Sequence, residues 1–226
     1  MRFHDRSEAG RRLAIKLNDY ANDSQVVVLA LPRGGVPVAY EVAQSLHLPL
    51  DVFLVRKLGV PGHTELAMGA IASGGARVLN DDVVNYLHIP EDAIAQVATV
   101  EKRELERRER LYRGHRPMPN LQGKTVLLVD DGLATGATMK AAVAAIRQQH
   151  PARIIVAAPV AANTTCEEFE AMADDIVCIC DRRYEPFHAV GLWYDDFRQT
   201  TDAEVRILLD RANTPTVLNG REQLAA

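Results

Sequence analysis

The sequence has no run of 18 apolar residues, so no membrane-spanning helix is expected. The opening Met1-Arg2-Phe3-His4-Asp5-Arg6 lacks the apolar stretch of a secretory signal. Cysteine is scarce: Cys166, Cys178 and Cys180 are an odd number without framework spacing, which points to a reducing, cytoplasmic setting. Basic charge is not in excess either. A net charge of −4 leaves no basic footprint for nucleic acid, although single loops can still be positive. A Gly-x-Gly-x-x-Gly run is missing, so the dinucleotide fingerprint is missing too. Gly123-Lys124-Thr125 imitates the end of a phosphate-binding P-loop, but position 118 is Met and a strand pattern follows. No internal repeat is present.

What is there is ordinary globular material, 226 residues with 47% apolar and 25% charged. Such a length suits one domain with an accessory piece, here residues 1–212, followed by a loose tail over 213–226. Short β-branched runs alternate with helical patterns. Strands are expected at Val26–Leu31, Asp51–Val55, Val126–Val129, Ile154–Val160 and Ile176–Cys180. Helices are expected at Val36–Leu46, after residue 136 (apolar at Met139, Val143 and Ile146), and near Thr165–Ala173. This alternation predicts an α/β fold, a parallel sheet with helices on both faces, and ligand sites at the carboxyl ends of its strands. Cys178-x-Cys180 would share one face of the last strand, where buried cysteine is the ordinary reading.

Residues 90–114 stand apart. Glu101-Lys-Arg-Glu-Leu-Glu-Arg-Arg-Glu-Arg110 places opposite charges three and four residues apart. One reading is a solvated helix laced by ion pairs. The other is that some of its arginines reach a phosphate-bearing ligand. Both stay open on sequence alone.

The strongest constellation is Val126-Leu-Leu-Val-Asp-Asp-Gly-Leu-Ala-Thr-Gly-Ala-Thr138. An apolar strand ends in two carboxylates, Asp130 and Asp131. A loop with Thr135, Gly136 and Thr138 follows, and then a helix begins. The start of a helix offers unpaired N–H groups and the positive end of its dipole, and Gly136 admits close approach. That is a cradle for a phosphate. The two aspartates suit a sugar diol or a divalent ion. Each feature alone could be a turn or a helix cap; their conjunction after an apolar strand favours the cradle.

This segment resembles the phosphoribosyl diphosphate (PRPP) motif of the type I phosphoribosyltransferases, and the likeness spans roughly residues 24–200. Leu31-Pro-Arg-Gly-Gly35 resembles the family's diphosphate loop. Arg56-Lys57 resembles the pair before its mobile loop, and Phe187–Asp195 resembles the hood beside the base. The resemblance implies a core over about 24–180 and a hood over about 181–200 with an N-terminal contribution. Asp130 and Asp131 would bind the ribose hydroxyls, and Ala134, Thr135, Gly136, Ala137 and Thr138 the 5′-phosphate. Arg33, Gly34 and Gly35 would take diphosphate, with Arg56 and Lys57 adding charge as it departs. Ala189, Val190, Trp193, Tyr194 and Asp195 would stand near the base. Magnesium would arrive on the diphosphate, with Asp130 and Asp131 as indirect protein contacts. A homodimer is implied as well.

Leu58–Gly75 occupies the position of a mobile lid, with glycines for hinges and His63 and Glu65 as acid–base candidates. The sequence departs from the 6-oxopurine members, which carry a catalytic Asp where Ala134 stands and a lysine that Val160–Asn163 does not supply. The implied activity is transfer of 5-phosphoribosyl from PRPP to a nitrogen nucleophile, a nucleobase or another amine, with release of diphosphate. The alternatives are a regulator that senses PRPP without turnover, and a hydrolase or phosphorylase acting on a ribosyl phosphate. The mixed charge of the first 25 residues argues against an added DNA-binding segment.

Overall fold

The computed structural model describes residues 2–179 and 187–214. Five strands form one all-parallel sheet: β1 (Val26–Ala30), β2 (Leu50–Val52), β6 (Thr125–Val129), β7 (Arg153–Ala158) and β8 (Asp175–Cys178), in the order β2-β1-β6-β7-β8. Three more form an antiparallel sheet: β3 (Val55–Val60), β4 (His63–Ala72) and β5 (Arg77–Leu79). The helices are α1 (Arg6–Lys16), α2 (Gly35–Leu46), α3 (Asp81–Tyr86), α4 (Glu91–Arg113), α5 (Ala137–Arg147), α6 (Asn163–Glu170) and α7 (Asp202–Asn213).

The parallel sheet is apolar on both sides because both sides are covered. Val26, Val28, Leu127, Val129 and Ile155 face a layer formed by α1, α2, α4 and α7. Val27, Leu29, Val126, Leu128 and Ile154 face α5 and α6. Alternate residues of one strand thus enter opposite cores, which turns the usual period-two pattern into a continuous apolar run. Val126, Leu127, Leu128 and Val129 have no exposed surface. Strand order reverses between β1 and β6, and the crevice at such a reversal is where open α/β sheets bind ligands.

Two expectations need correction. The strand expected over Asp51–Val55 is broken. Phe53 N–H still donates to Ala30 in the parallel sheet (2.9 Å), but Leu54 N–H already donates to the Ser73 hydroxyl (3.0 Å), and the chain passes into the second sheet as β3. The lid expected over Leu58–Gly75 is largely an antiparallel ribbon, β3 and β4. Hinges are expected from glycines at both ends of this segment; Gly74 and Gly75 lie beyond β4 with φ +81° and +82°, but Gly59 and, further in, Gly69 sit inside strands. A Cβ there would lie 2.7 Å from Thr64 O and 2.4 Å from Val78 O, so their role is close strand packing. Leu58, Val60 and Met68 are buried, which roots one face of the ribbon in the core.

Residues 90–114 do form a helix, α4. Among the described residues no helix is long and apolar enough to cross a membrane. Cys178 is half-buried at the end of β8; Cys180, the first part of the expected hood (181–186) and most of the expected tail (215–226) lie outside the described residues.

Candidate active site

Three loops meet at the carboxyl ends of β1, β2 and β6. The first closes tightly on the third. A Cβ on Gly34 would fall 2.1 Å from Asp131 Oδ2, and one on Gly35 would fall 2.7 Å from Val129 O and 2.9 Å from Asp130 Cα. Only glycine lets α2 begin against the acidic pair. Leu31 N–H donates to Val129 O (2.9 Å) and Gly35 N–H to Leu31 O (3.1 Å), which ties the loop down.

Asp130 follows β6 and is partly buried. Its Oδ1 accepts the N–H of Asp131 at 2.8 Å. Burial, and then the neighbouring Asp131, push its carboxyl well above the usual range. Burial also raises Asp131, opposed by the hydrogen bond and charge of Arg6, whose Nε donates to Asp131 Oδ2 at 2.8 Å. Two crowded, poorly solvated carboxylates resist ionisation together. They gain from any ligand that brings hydroxyl donors or positive charge.

The loop beyond them is braced behind and open in front. Leu133 N–H donates to Val160 O (2.9 Å), and Leu133 O accepts Ala162 N–H (3.0 Å). The Thr165 hydroxyl donates to Ala134 O. Gly136 adopts φ 64° and starts α5, and its Cβ position is taken by the ring of Phe169 and the methyl of Thr165. Ala134, Thr135, Ala137 and Thr138 stay exposed. Thr135 and Thr138 thus stand exposed beside the first amides of α5, which the helical ladder leaves unpaired.

The other expected residues divide. Arg33 leans away from the cradle, its Nη1 lying 3.8 Å from Asp202 at the start of α7, and Asp202 also accepts the Tyr112 hydroxyl at 2.6 Å. Arg56 donates to Glu101 of α4 at 2.7 Å. Lys57 pairs with Glu65 across the ribbon at 3.1 Å, and the Glu65 side chain is 96% exposed. His63 is exposed at the start of β4. A cavity lies between these loops, lined by Leu31, Pro32, Arg56, Thr138 and, from α4, Arg108.

Within the hood segment the aromatic pair separates. Tyr194 was expected beside the base, but it is 2% exposed and packs between Phe3 and Phe197, with ring centroids 5.5 and 5.0 Å away. Its hydroxyl donates to Asp131 O at 2.6 Å, so it supports the acidic turn from below. Trp193 is half-buried and stacks on Phe187 at 6.2 Å. Val190 lies against Gly132. Ala189 and Asp195 are exposed, and Asp195 pairs with Arg2 at 3.3 Å. The N-terminus meets this segment: Phe3 N–H donates to Trp193 O (2.8 Å) and Asp195 N–H to Phe3 O (2.9 Å).

Sequence reasoning missed Arg6. Besides Asp131 it donates to Arg198 O at 2.8 Å, and its guanidinium sits 3.9 Å over the Phe197 ring. Its helix carries a readable start signal. The Asp5 side chain accepts Glu8 N–H (2.8 Å) while Glu8 accepts His4 N–H (2.6 Å); helix α7 has the full capping box, in which Glu204 accepts the N–H of Thr201 itself (2.6 Å).

A doubly covered parallel sheet, a paired acidic turn and a hydroxyl-rich helix start at the reversal of strand order define a type I phosphoribosyltransferase fold. The chain belongs to the family described as "Phosphoribosyl transferase domain", whose profile matches residues 3–189. It is 48% identical over 212 residues to a Mycobacterium tuberculosis protein named as a phosphoribosyl transferase, covering 93% of this chain and 47% of that protein. The chain thus spans about half the length of the curated relatives it matches. Among solved structures it resembles the protein TT1426 of Thermus thermophilus, with 42% identity and a TM-score of 0.81 over 92% of this chain and 98% of that one.

Proposed function

We propose that this protein transfers the 5-phosphoribosyl group of PRPP to a nitrogen nucleophile and releases diphosphate. The observation that carries this reading is the closure of Gly34 and Gly35 onto Asp130 and Asp131. It supports a reading in which the Leu31–Gly35 loop takes the diphosphate and the acidic pair beside it the ribose diol, with the Ala134–Thr138 loop left for the 5′-phosphate. Asp130 and Asp131 accept the ribose hydroxyls, and their raised carboxyl affinities are relieved by those donors. The amides of Ala134–Thr138 and the hydroxyls of Thr135 and Thr138 take the 5′-phosphate. The backbone of Gly34 and Gly35 takes the diphosphate, and Arg33 joins it on leaving Asp202.

In the reaction the bond from C1 to the diphosphate oxygen breaks and a C1–N bond forms. The nucleophile's proton passes to a base, for which His63 and Glu65 on the ribbon are the candidates. Arg56 and Lys57 stabilise charge on the departing diphosphate. Magnesium fits as an ion carried by the diphosphate. Among the described residues no three metal-ligating side chains cluster, and Asp130 and Asp131 would contact the ion only indirectly. The acceptor is a nucleobase or amine held under the Val190–Trp193 turn, and a cytoplasmic homodimer completes the reading.

The test is diphosphate release from PRPP and Mg²⁺ with a panel of bases and amines. Acceptor-dependent release, abolished in Asp130→Asn/Asp131→Asn, is the expected result. Saturable PRPP binding without release from any acceptor would establish a sensor in its place. No PRPP binding would overturn the assignment of the cradle.

A further inference from the structure

The cavity beside the diphosphate loop has a cation that the reading above does not use. Arg108 reaches its wall from α4, a helix outside the parallel sheet, and faces Pro32, Arg56 and Thr138 there. Its Nε donates to Glu104 Oε1 at 2.7 Å. Glu104 is doubly engaged, since Arg107 also donates to it, at 2.7 and 3.0 Å. If Arg108 turns away, Glu104 keeps a cation. One turn earlier on the same helix, Glu101 holds Arg56. Two guanidinium groups, each oriented by a carboxylate of α4, therefore flank a cavity whose remaining wall is partly apolar: Leu31, Phe53 and Leu54. Partial exclusion of water strengthens charge contacts. A planar guanidinium matches the paired oxygens of a phosphate group better than any other side chain does.

We propose that Arg108 is a diphosphate-binding residue, which exchanges Glu104 for an oxygen of the leaving group and leaves Glu104 to Arg107. The proposal rests on the PRPP reading and deepens it. It makes α4 part of the leaving-group site, so that the charged helix is more than a solvated brace.

The experiment compares wild type, Arg108→Gln and Arg103→Gln, the last removing the same charge from an exposed position of the same helix. Affinities for Mg-pyrophosphate, PRPP and ribose 5-phosphate are measured by calorimetry, with urea denaturation as a check on folding. Arg108→Gln is expected to weaken pyrophosphate and PRPP by about tenfold, the usual cost of one charge-assisted hydrogen bond, and to leave ribose 5-phosphate unchanged. Arg103→Gln is expected to match wild type. Unchanged pyrophosphate and PRPP binding in Arg108→Gln would overturn the role of Arg108 and leave the PRPP reading standing. An equal loss for all three ligands would assign Arg108 to architecture alone and overturn it too. A wild-type protein that binds none of the three would remove the PRPP reading itself.

Discussion

Asp130 and Asp131 end a strand whose Val126–Val129 have no exposed surface, whereas Lys57 and Glu65 stand on a ribbon with side chains 52% and 96% exposed. The acidic turn is fixed from three directions: glycine contacts from the Leu31–Gly35 loop, the Tyr194 hydroxyl from below, and Arg6 from the side. The outer face of the ribbon has one exposed ion pair between those two side chains and little else to hold them. Ground-state binding of a sugar diphosphate calls for a preformed frame, because ordering loops on binding costs affinity. Proton transfer and leaving-group assistance call for groups that can move in once the ligand is seated. On the proposed reaction, the rigid material would serve the first task and the exposed material the second.

The contrast is broken most severely at Gly35. In Gly35→Ala the new Cβ meets two backbone atoms, neither of which is the end of a flexible side chain. Overpacking of this kind costs about 1–3 kcal/mol, and the expected result is a loss near the top of that range in urea denaturation, together with loss of measurable PRPP binding. The matching change on the ribbon is Gly62→Ala. Gly62 has φ +80° and nothing within 4 Å of its Cβ position, so only the left-handed backbone strain of about 1 kcal/mol applies. PRPP affinity should survive it. Equal damage at both sites would erase the distinction between the two regions.

A smaller effect, of opposite sign, belongs to Asp130. Its folded-state carboxyl binds a proton more tightly than the unfolded one, chiefly because it is buried. Between the ordinary Asp value near 3.8 and the raised folded value, the native state holds the extra proton. Stability of the unliganded protein therefore falls as pH rises through that window. Asp130→Asn keeps the oxygen that accepts Asp131 N–H and removes the titration. It should be more stable than wild type at pH 7, with a gain that disappears toward pH 4, while transfer activity is lost. A variant with no stability gain at pH 7 would show that the acidic pair is not held at a thermodynamic cost.

The frame was legible in the sequence for a physical reason. A parallel strand covered on both faces needs an unbroken apolar run, and Val126–Val129 stands out from every amphipathic segment around it. Asp130, Asp131 and Gly136 follow at positions that only a strand–loop–helix passage explains. Arg6 was not legible, since its partner is 125 residues away and no local pattern links them. The start signals of α1 and α7 were present in Asp5/Glu8 and Thr201/Glu204, but they mark where a helix begins and not what it touches. Trp193 and Tyr194 could not be told apart, because Trp193 ends a single helical turn, Tyr194 is extended just beyond it, and only Phe3, far away in the sequence, decides which of the two is buried. The ribbon was misjudged because glycine serves both hinges and close strand contacts.

The smallest expected effect is also the one that tests the exposed half of the site. Glu65 and Lys57 form a solvent-exposed pair, and such pairs contribute less than about 1 kcal/mol. Glu65→Gln should leave the urea midpoint and the PRPP dissociation constant unchanged. An acid–base role would then show only in turnover, as a fall in kcat of about a hundredfold without a matching rise in the substrate constant. Unchanged turnover would strike Glu65 from the candidates and leave His63 as the ribbon's base. A weakened PRPP affinity would mean that the ribbon already helps to hold the ground state, and the division of labour between the two regions would have to be redrawn.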